Sequence, residues 1–157
     1  MAVTVDFRPI EVTATAELVG INDAVAASQY TNSVQVPFPT TMSGEVVSIA
    51  LYSTEDGAGA VQAVNGTLIF LTADPAVSAG DTALTAAEWL TVVGTVSITS
   101  ANWVSDANGG CAYRWVSIPF KTAGSLYAVM LFDASSAMND AGGDDEQLEI
   151  KVRIRRG

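Results

Sequence analysis

Apolar and polar side chains alternate one for one along much of this chain, most cleanly towards its two ends. In residues 10–18, IEVTATAEL, every second position is apolar, the spacing of a strand with one buried and one wet face. Val3, Val5 and Phe7 repeat the pattern ahead of Pro9, which marks a strand end or a bulge because it has no amide to give to a ladder. Near the other end Leu148, Ile150, Val152 and Ile154 alternate with Glu149, Lys151, Arg153 and Arg155. Residues 34–38, 45–52, 67–71, 91–98, 112–120 and 126–132 are rich in Val, Ile, Thr and aromatics, with clusters of Gly, Asn, Asp and Ser between them. That is strand-and-turn chemistry. It predicts an all-β protein of about nine strands, arranged as a two-sheet β-sandwich or a jelly roll. The 126–132 run is apolar on both faces, as a central strand covered on both sides would be.

Two short helical turns interrupt the strands. Thr85-Ala-Ala-Glu88 has the spacing of a capping box, in which hydroxyl and carboxylate each satisfy an open amide, and Trp89 and Leu90 follow at once. Ser100-Ala-Asn-Trp103 is a weaker second case. No linker divides the sequence, so residues 1–157 read as a single domain, with the small-residue stretch at 20–32 able to set off residues 1–32 as an N-terminal arm. A chain of this length buries roughly 70% of its unfolded surface, enough for a core without metal or disulfide.

Charge narrows the partners. Seventeen acids against seven bases give a formal charge of −10, which repels nucleic-acid phosphates and anionic membranes. The first residues carry no basic and apolar leader, and no apolar run approaches the length of a membrane span; a soluble protein made in a reducing cytosol is expected. Lys151, Arg153, Arg155 and Arg156 hold four of the seven cations within the last seven residues. Such a run is either a solvated strand face or the contact for an acidic partner.

The inventory for catalysis is thin. There is no histidine and one cysteine, Cys111, which rules out Ser-His-Asp and Cys-His machinery and both histidine and thiolate zinc sites. Cys111 borders an apolar run and reads as a small hydrophobe rather than a reactive thiol. Gly57-Ala-Gly59 lacks the Lys-Ser/Thr of a phosphate loop. The acids gather in predicted turns at Glu55, Asp56, Asp74, Asp81, Asp106 and 144–146, with no spacing that singles out the facing pair a glycosidase needs. Residues 106–109 and 140–146 are candidates for calcium, but neither reproduces a twelve-residue calcium loop. No catalytic, cofactor or metal residue is assigned, and no enzyme is expected. Tyr52, Trp89, Trp103, Tyr113, Trp115 and Tyr127 could stack on a sugar, but in a sandwich they are expected to be core anchors, with all three tryptophans buried and Trp89 and Trp103 plugging the open ends.

From about Ser43 onward the sequence resembles small structural proteins of tailed bacteriophages. The resemblance is carried, in order, by 44–51 (GEVVSIAL), 68–75 (LIFLTADP), 80–83 (GDTA), 92–98 (VVGTVSI), 118–121 (IPFK), 125–128 (SLYA) and 147–150 (QLEI). It covers roughly the last two thirds of the chain, and the cationic end at 153–156 departs from the pattern. The resemblance implies a decoration or cement protein that binds the major capsid protein of an assembled head. A homo-oligomer at a symmetry axis is expected, a trimer being one form, made in the host cytoplasm and carried on the capsid surface. Lys151, Arg153, Arg155 and Arg156 are the candidate contact residues. The alternative of another class is a carbohydrate- or receptor-binding module of a phage fibre or tail.

Overall fold

A computed structural model describes residues 11–20, 23–36, 42–54, 63–106, 109–122, 124–138 and 147–156, and only the backbone at 11–14, 42, 54 and 156. The 3–7 alternation and the acids at 55–56 and 140–146 lie outside these. Among the described residues there are nine strands: β1 (Glu11–Val19), β2 (Val34–Val36), β3 (Met42–Thr54), β4 (Gly66–Leu71), β5 (Val92–Ile98), β6 (Trp103–Ser105), β7 (Gly109–Thr122), β8 (Leu126–Phe132) and β9 (Gln147–Arg156). They form a five-stranded sheet, β1-β9-β3-β7-β6, and a four-stranded sheet, β2-β8-β4-β5. Every strand pairing is antiparallel. With the short β6 set aside, first pairs with last and so inward: β1 with β9, β2 with β8, β3 with β7, β4 with β5. This nesting is one long hairpin rolled up, the jelly roll.

The alternation read from sequence sets the inner faces. Leu148, Ile150, Val152 and Ile154 of β9 are fully buried, in one cluster with Leu68 and Phe70 of β4 and Met130 and Phe132 of β8. On β3 the buried positions change parity, Val46 before and Ile49 and Leu51 after, because the ladder shifts register between Val46 and Ser48. The bulge lets one strand keep its apolar side chains inward while the sheet twists.

The four-stranded sheet buries its other face as well. Ile69, Leu71 and Val129 point away from the main core into a second cluster with Tyr30, Val77 and Leu84. The covering segments are stitched together: Tyr30 donates its amide to Asp81 (2.8 Å), Ser33 to Val77 (2.9 Å) and Thr31 to Met130 (2.9 Å). β8 is therefore covered on both sides, as its doubly apolar sequence predicts.

Both helical turns form. In α1 (Ala86–Trp89) the Thr85 amide donates to Glu88 (2.6 Å) and the Glu88 amide to the Thr85 hydroxyl (3.3 Å). The second turn, Ser100–Asn102, is capped from Thr99 rather than Ser100, whose place the sequence had suggested: the Thr99 amide donates to the Asn102 side chain (2.8 Å). Trp103 follows it into the end of the sandwich, 9% exposed, its indole Nε1 donating to the carbonyl of Val64 (2.9 Å).

Candidate functional site

The outward positions of the five-stranded sheet form a second pattern, assembled by register. Arg153 of β9 lies beside Ser48 of β3, which lies beside Trp115 of β7; one step along, Lys151, Ala50 and Tyr113 make a parallel row. Cations thus stand on one side of the central strand and aromatics on the other, roughly 10 Å apart across two strand spacings. Ser48 and Ala50 between them are only 4% exposed although they point outward; short side chains between tall ones are shaded from water. The Tyr113 and Trp115 rings meet edge to face, with centroids 5.4 Å apart and planes at 82°, a favoured aromatic geometry. The Trp115 ring nevertheless remains 68% exposed.

The face continues towards the sheet edge as an open depression of about 430 Å³ between Tyr52, Val104, Cys111 and the Gly109–Gly110 backbone, with Asp106 also lining it. Val104, on the edge strand β6, is 81% exposed. Burial raises the Cys111 thiol above its ordinary value, against a smaller lowering by its hydrogen bond with Tyr52. A thiol held neutral is a poor nucleophile, which agrees with the reading of Cys111 as a small hydrophobe.

The sequence-derived contact residues fall on this face in part. Lys151 and Arg155 are exposed and Arg153 is half-buried, all three in the outward row of β9. Arg155 pairs in register with Glu45 of β3, whose carboxylate accepts from Ser117 (2.5 Å). Arg156 continues β9 opposite Gly44, and only its backbone is described. Sequence reasoning did not place Trp115 and Tyr113 across β3 from these cations, nor Val104 in water on the edge strand; the spacing of Tyr113 and Trp115 puts them on one strand face but does not say which.

Two expectations need correction. Trp89 and Trp115 are exposed, and only Trp103 is buried. Trp89 closes no end of the sandwich, because the turn carrying it lies outside the core clusters. Trp115 belongs to the outward row of β7, while Ala112, Ile118 and Phe120 take the inward one. Acrylamide should therefore quench the fluorescence of Trp89 and Trp115 and spare Trp103. Replacing both exposed tryptophans with phenylalanine is expected to leave a blue-shifted, poorly quenched emission; a red-shifted remnant would contradict the burial of Trp103.

No family model and no curated protein matches the chain. Among solved structures it is similar to a chain of the Israeli acute paralysis virus full particle heated to 63 degree (TM-score 0.33, 9% identity, 100% of this chain and 76% of that one). It is also similar to a chain of sacbrood virus of honeybee (0.29, 11%, 95% and 68%). A third is from a marine algae virus of the order Picornavirales (0.27, 9%, 93% and 67%). Scores this low transfer neither fold nor function, and the jelly roll stands on the strand order itself.

The acids serve turns. Asp74 accepts from the Ala76 amide (2.8 Å), Asp81 from Ser78 (2.9 Å) and Asp106 from Gly109 (3.2 Å), the local bonding that makes Asp a turn residue. Among the described residues no three His, Cys, Asp or Glu side chains group as a metal site. No helix among them is long and apolar enough to cross a membrane. The outer face presents exposed aromatic side chains and, across β3 from them, Lys151 and Arg153.

Proposed function

We propose that the chain is a virion structural protein without enzymatic activity, a decoration or cement protein of a tailed-phage head, with residues 1–157 acting as one domain. It binds the shell built by the major capsid protein and works as a homo-oligomer. The observation that carries this reading is the outer face of the five-stranded sheet, where Trp115 and Tyr113 stay in water across β3 from Lys151 and Arg153, with Val104 exposed farther along on the edge strand. Exposed apolar area rimmed by charge is the mark of a surface that meets another protein, and Trp, Tyr and Arg are the residues that dominate such contacts. The jelly roll also suits the reading by analogy, being used for viral capsid and lectin domains alike, but a fold leaves function to the site. A ligand that binds only the closed shell stabilises it by linkage, and many copies make modest contacts add up.

In a protein of charge −10 the β9 cations complement carboxylates on a partner. Such pairs set orientation and association rate and are screened by salt. Reversing Arg153 and Arg155 together to Glu is expected to leave the domain folded and to weaken its retention on heads stripped of it, most strongly at low ionic strength. Equal co-sedimentation of parent and double variant across a salt series would remove the cationic row from the contact surface.

The exposure of Trp115 also favours a second reading, the carbohydrate- or receptor-binding module, since one open indole face can stack on a sugar. The 82° angle to Tyr113 gives no flat two-ring platform. Protection of Trp115 from acrylamide by a glycan, with no retention on heads, would select this reading.

A further inference from the structure

The outward rows of the five-stranded sheet repeat along the strands as well as across them. Lys151 and Arg153 are two residues apart on β9, and Tyr113 and Trp115 two residues apart on β7. Neighbours within each pair therefore stand about 6.8 Å apart, two steps of an antiparallel strand. Between the pairs the central strand offers only Ser48 and Ala50, both 4% exposed. The strip above β3 is shallow, with two cations along one side and two aromatic rings along the other.

Acids bound this strip. One row beyond Lys151, Glu149 lies beside Tyr52 on one side and Glu17 on the other. One row beyond Arg153, Arg155 lies beside Glu45. The positive stretch thus spans two rows, and its match is a pair of negative groups about 6.8 Å apart. A continuous polyanion, whether nucleic acid or acidic polysaccharide, would run onto Glu149 at one end or Glu45 at the other, against a protein of charge −10.

Width decides the conformation of the ligand. The strands carrying cations and aromatics are roughly 10 Å apart, and the side chains narrow that further. A helix with its side chains is about 10–12 Å across and would ride on the rims. A single extended chain fits lengthwise. Its side chains i and i+2 point to one side and i+1 and i+3 to the other, with the same repeat as the strip. Carboxylates at i and i+2 then reach Lys151 and Arg153, while apolar side chains at i+1 and i+3 meet Tyr113 and Trp115. Two rings at 82° make a poor platform for one flat ligand but serve two separate side chains.

We infer that the outer face binds an extended segment of a partner protein in which carboxylate and apolar side chains alternate, laid lengthwise over β3. The inference rests on the reading of that face as a protein-contact surface and states the chemistry of what it contacts.

The full chain carrying Trp89→Phe leaves Trp115 as its exposed indole and reports binding of a synthetic peptide with the core Asp-Leu-Asp-Leu. Saturable binding is expected with a Kd of about 1 mM or tighter, as suits so small a contact. Emission shifts to the blue and Trp115 becomes protected from acrylamide. Asp-Asp-Leu-Leu, of the same composition, and Lys-Leu-Lys-Leu bind more weakly. Lys151→Glu lowers the affinity by about tenfold or more, the loss of one charge-assisted hydrogen bond. Arg155→Glu makes the same change in net charge beyond the strip and lowers it less. Circular dichroism of each variant verifies the fold. No binding, equal binding of the alternating and block peptides, equal losses from the two charge reversals, or protection of Trp115 by an oligouronate in preference to the peptide overturns the inference. Retention of the parent on stripped heads is measured separately. Heads that retain a protein indifferent to the peptide sink this inference alone, and peptide binding without retention sinks the decoration reading alone.

Discussion

Replacing Trp103 with alanine is expected to destabilise the domain by about 3–5 kcal/mol, the usual cost of emptying a buried aromatic site. Trp103 is the one tryptophan within the main core cluster, and its indole binds the carbonyl of Val64 on the segment entering β4. Alanine there would open a cavity at the end of the sandwich and strip the Val64 carbonyl, itself on a buried residue, of that partner. An unmet buried polar group adds about 1–3 kcal/mol in general, so the loss should fall in the upper part of the range. Against a typical net stability of 5–15 kcal/mol, such a variant would be marginal. Trp115→Ala is the control: its ring is mostly in water, and surface substitutions usually stay within about 0.5 kcal/mol. Urea denaturation of both variants gives the comparison. Equal midpoints would show that Trp103 does not hold the end of the sandwich.

Gly66→Ala is expected to cost about 3 kcal/mol or more, at or beyond the top of the usual overpacking range. Gly66 opens β4, with Ile98 opposite on one side and Phe132 on the other. A Cβ built there would stand 2.2 Å from the Leu131 carbonyl oxygen and 3.1 Å from the Met130 Cε. The methionine tip can move aside, but the carbonyl is backbone of β8, so relief requires parting two strands in the centre of the four-stranded sheet. Gly124→Ala, with nothing within 4 Å of the added methyl, should be close to neutral. A Gly66→Ala melting temperature equal to that of the parent would mean that β8 yields at no cost.

Much of this architecture was legible from period-two alternation alone. β1, β8 and β9 fall where the pattern places them to within a residue or two, and the capping box at Thr85 and Glu88 forms. These features are local: a strand's alternation and a cap's spacing are fixed by neighbours in sequence. β6, three residues after a helical turn, is too short to show a period. Its pairing with Ala112, Cys111 and Gly110 of β7 exists only once the chain has rolled up.

Which face of each strand would be covered was not a local property. On β7 the outward row, Cys111, Tyr113, Trp115 and Ser117, carries the bulkiest aromatics, while the inward row includes Arg114, whose guanidinium reaches the Ser97 carbonyl at the margin of the other sheet. Alternation says that Tyr113 and Trp115 share a side but is silent on which side meets a second layer. By itself the sequence determined the described strands other than β6, the capping box at Thr85, the absence of histidine chemistry and the cationic row of Lys151, Arg153 and Arg155. The tertiary structure decided that residues 23–33 and 72–91 pack over the four-stranded sheet, leaving the aromatic face of the other sheet in water. The physical reason is that burial is settled between segments far apart in the chain, by whichever surfaces the closed roll brings together.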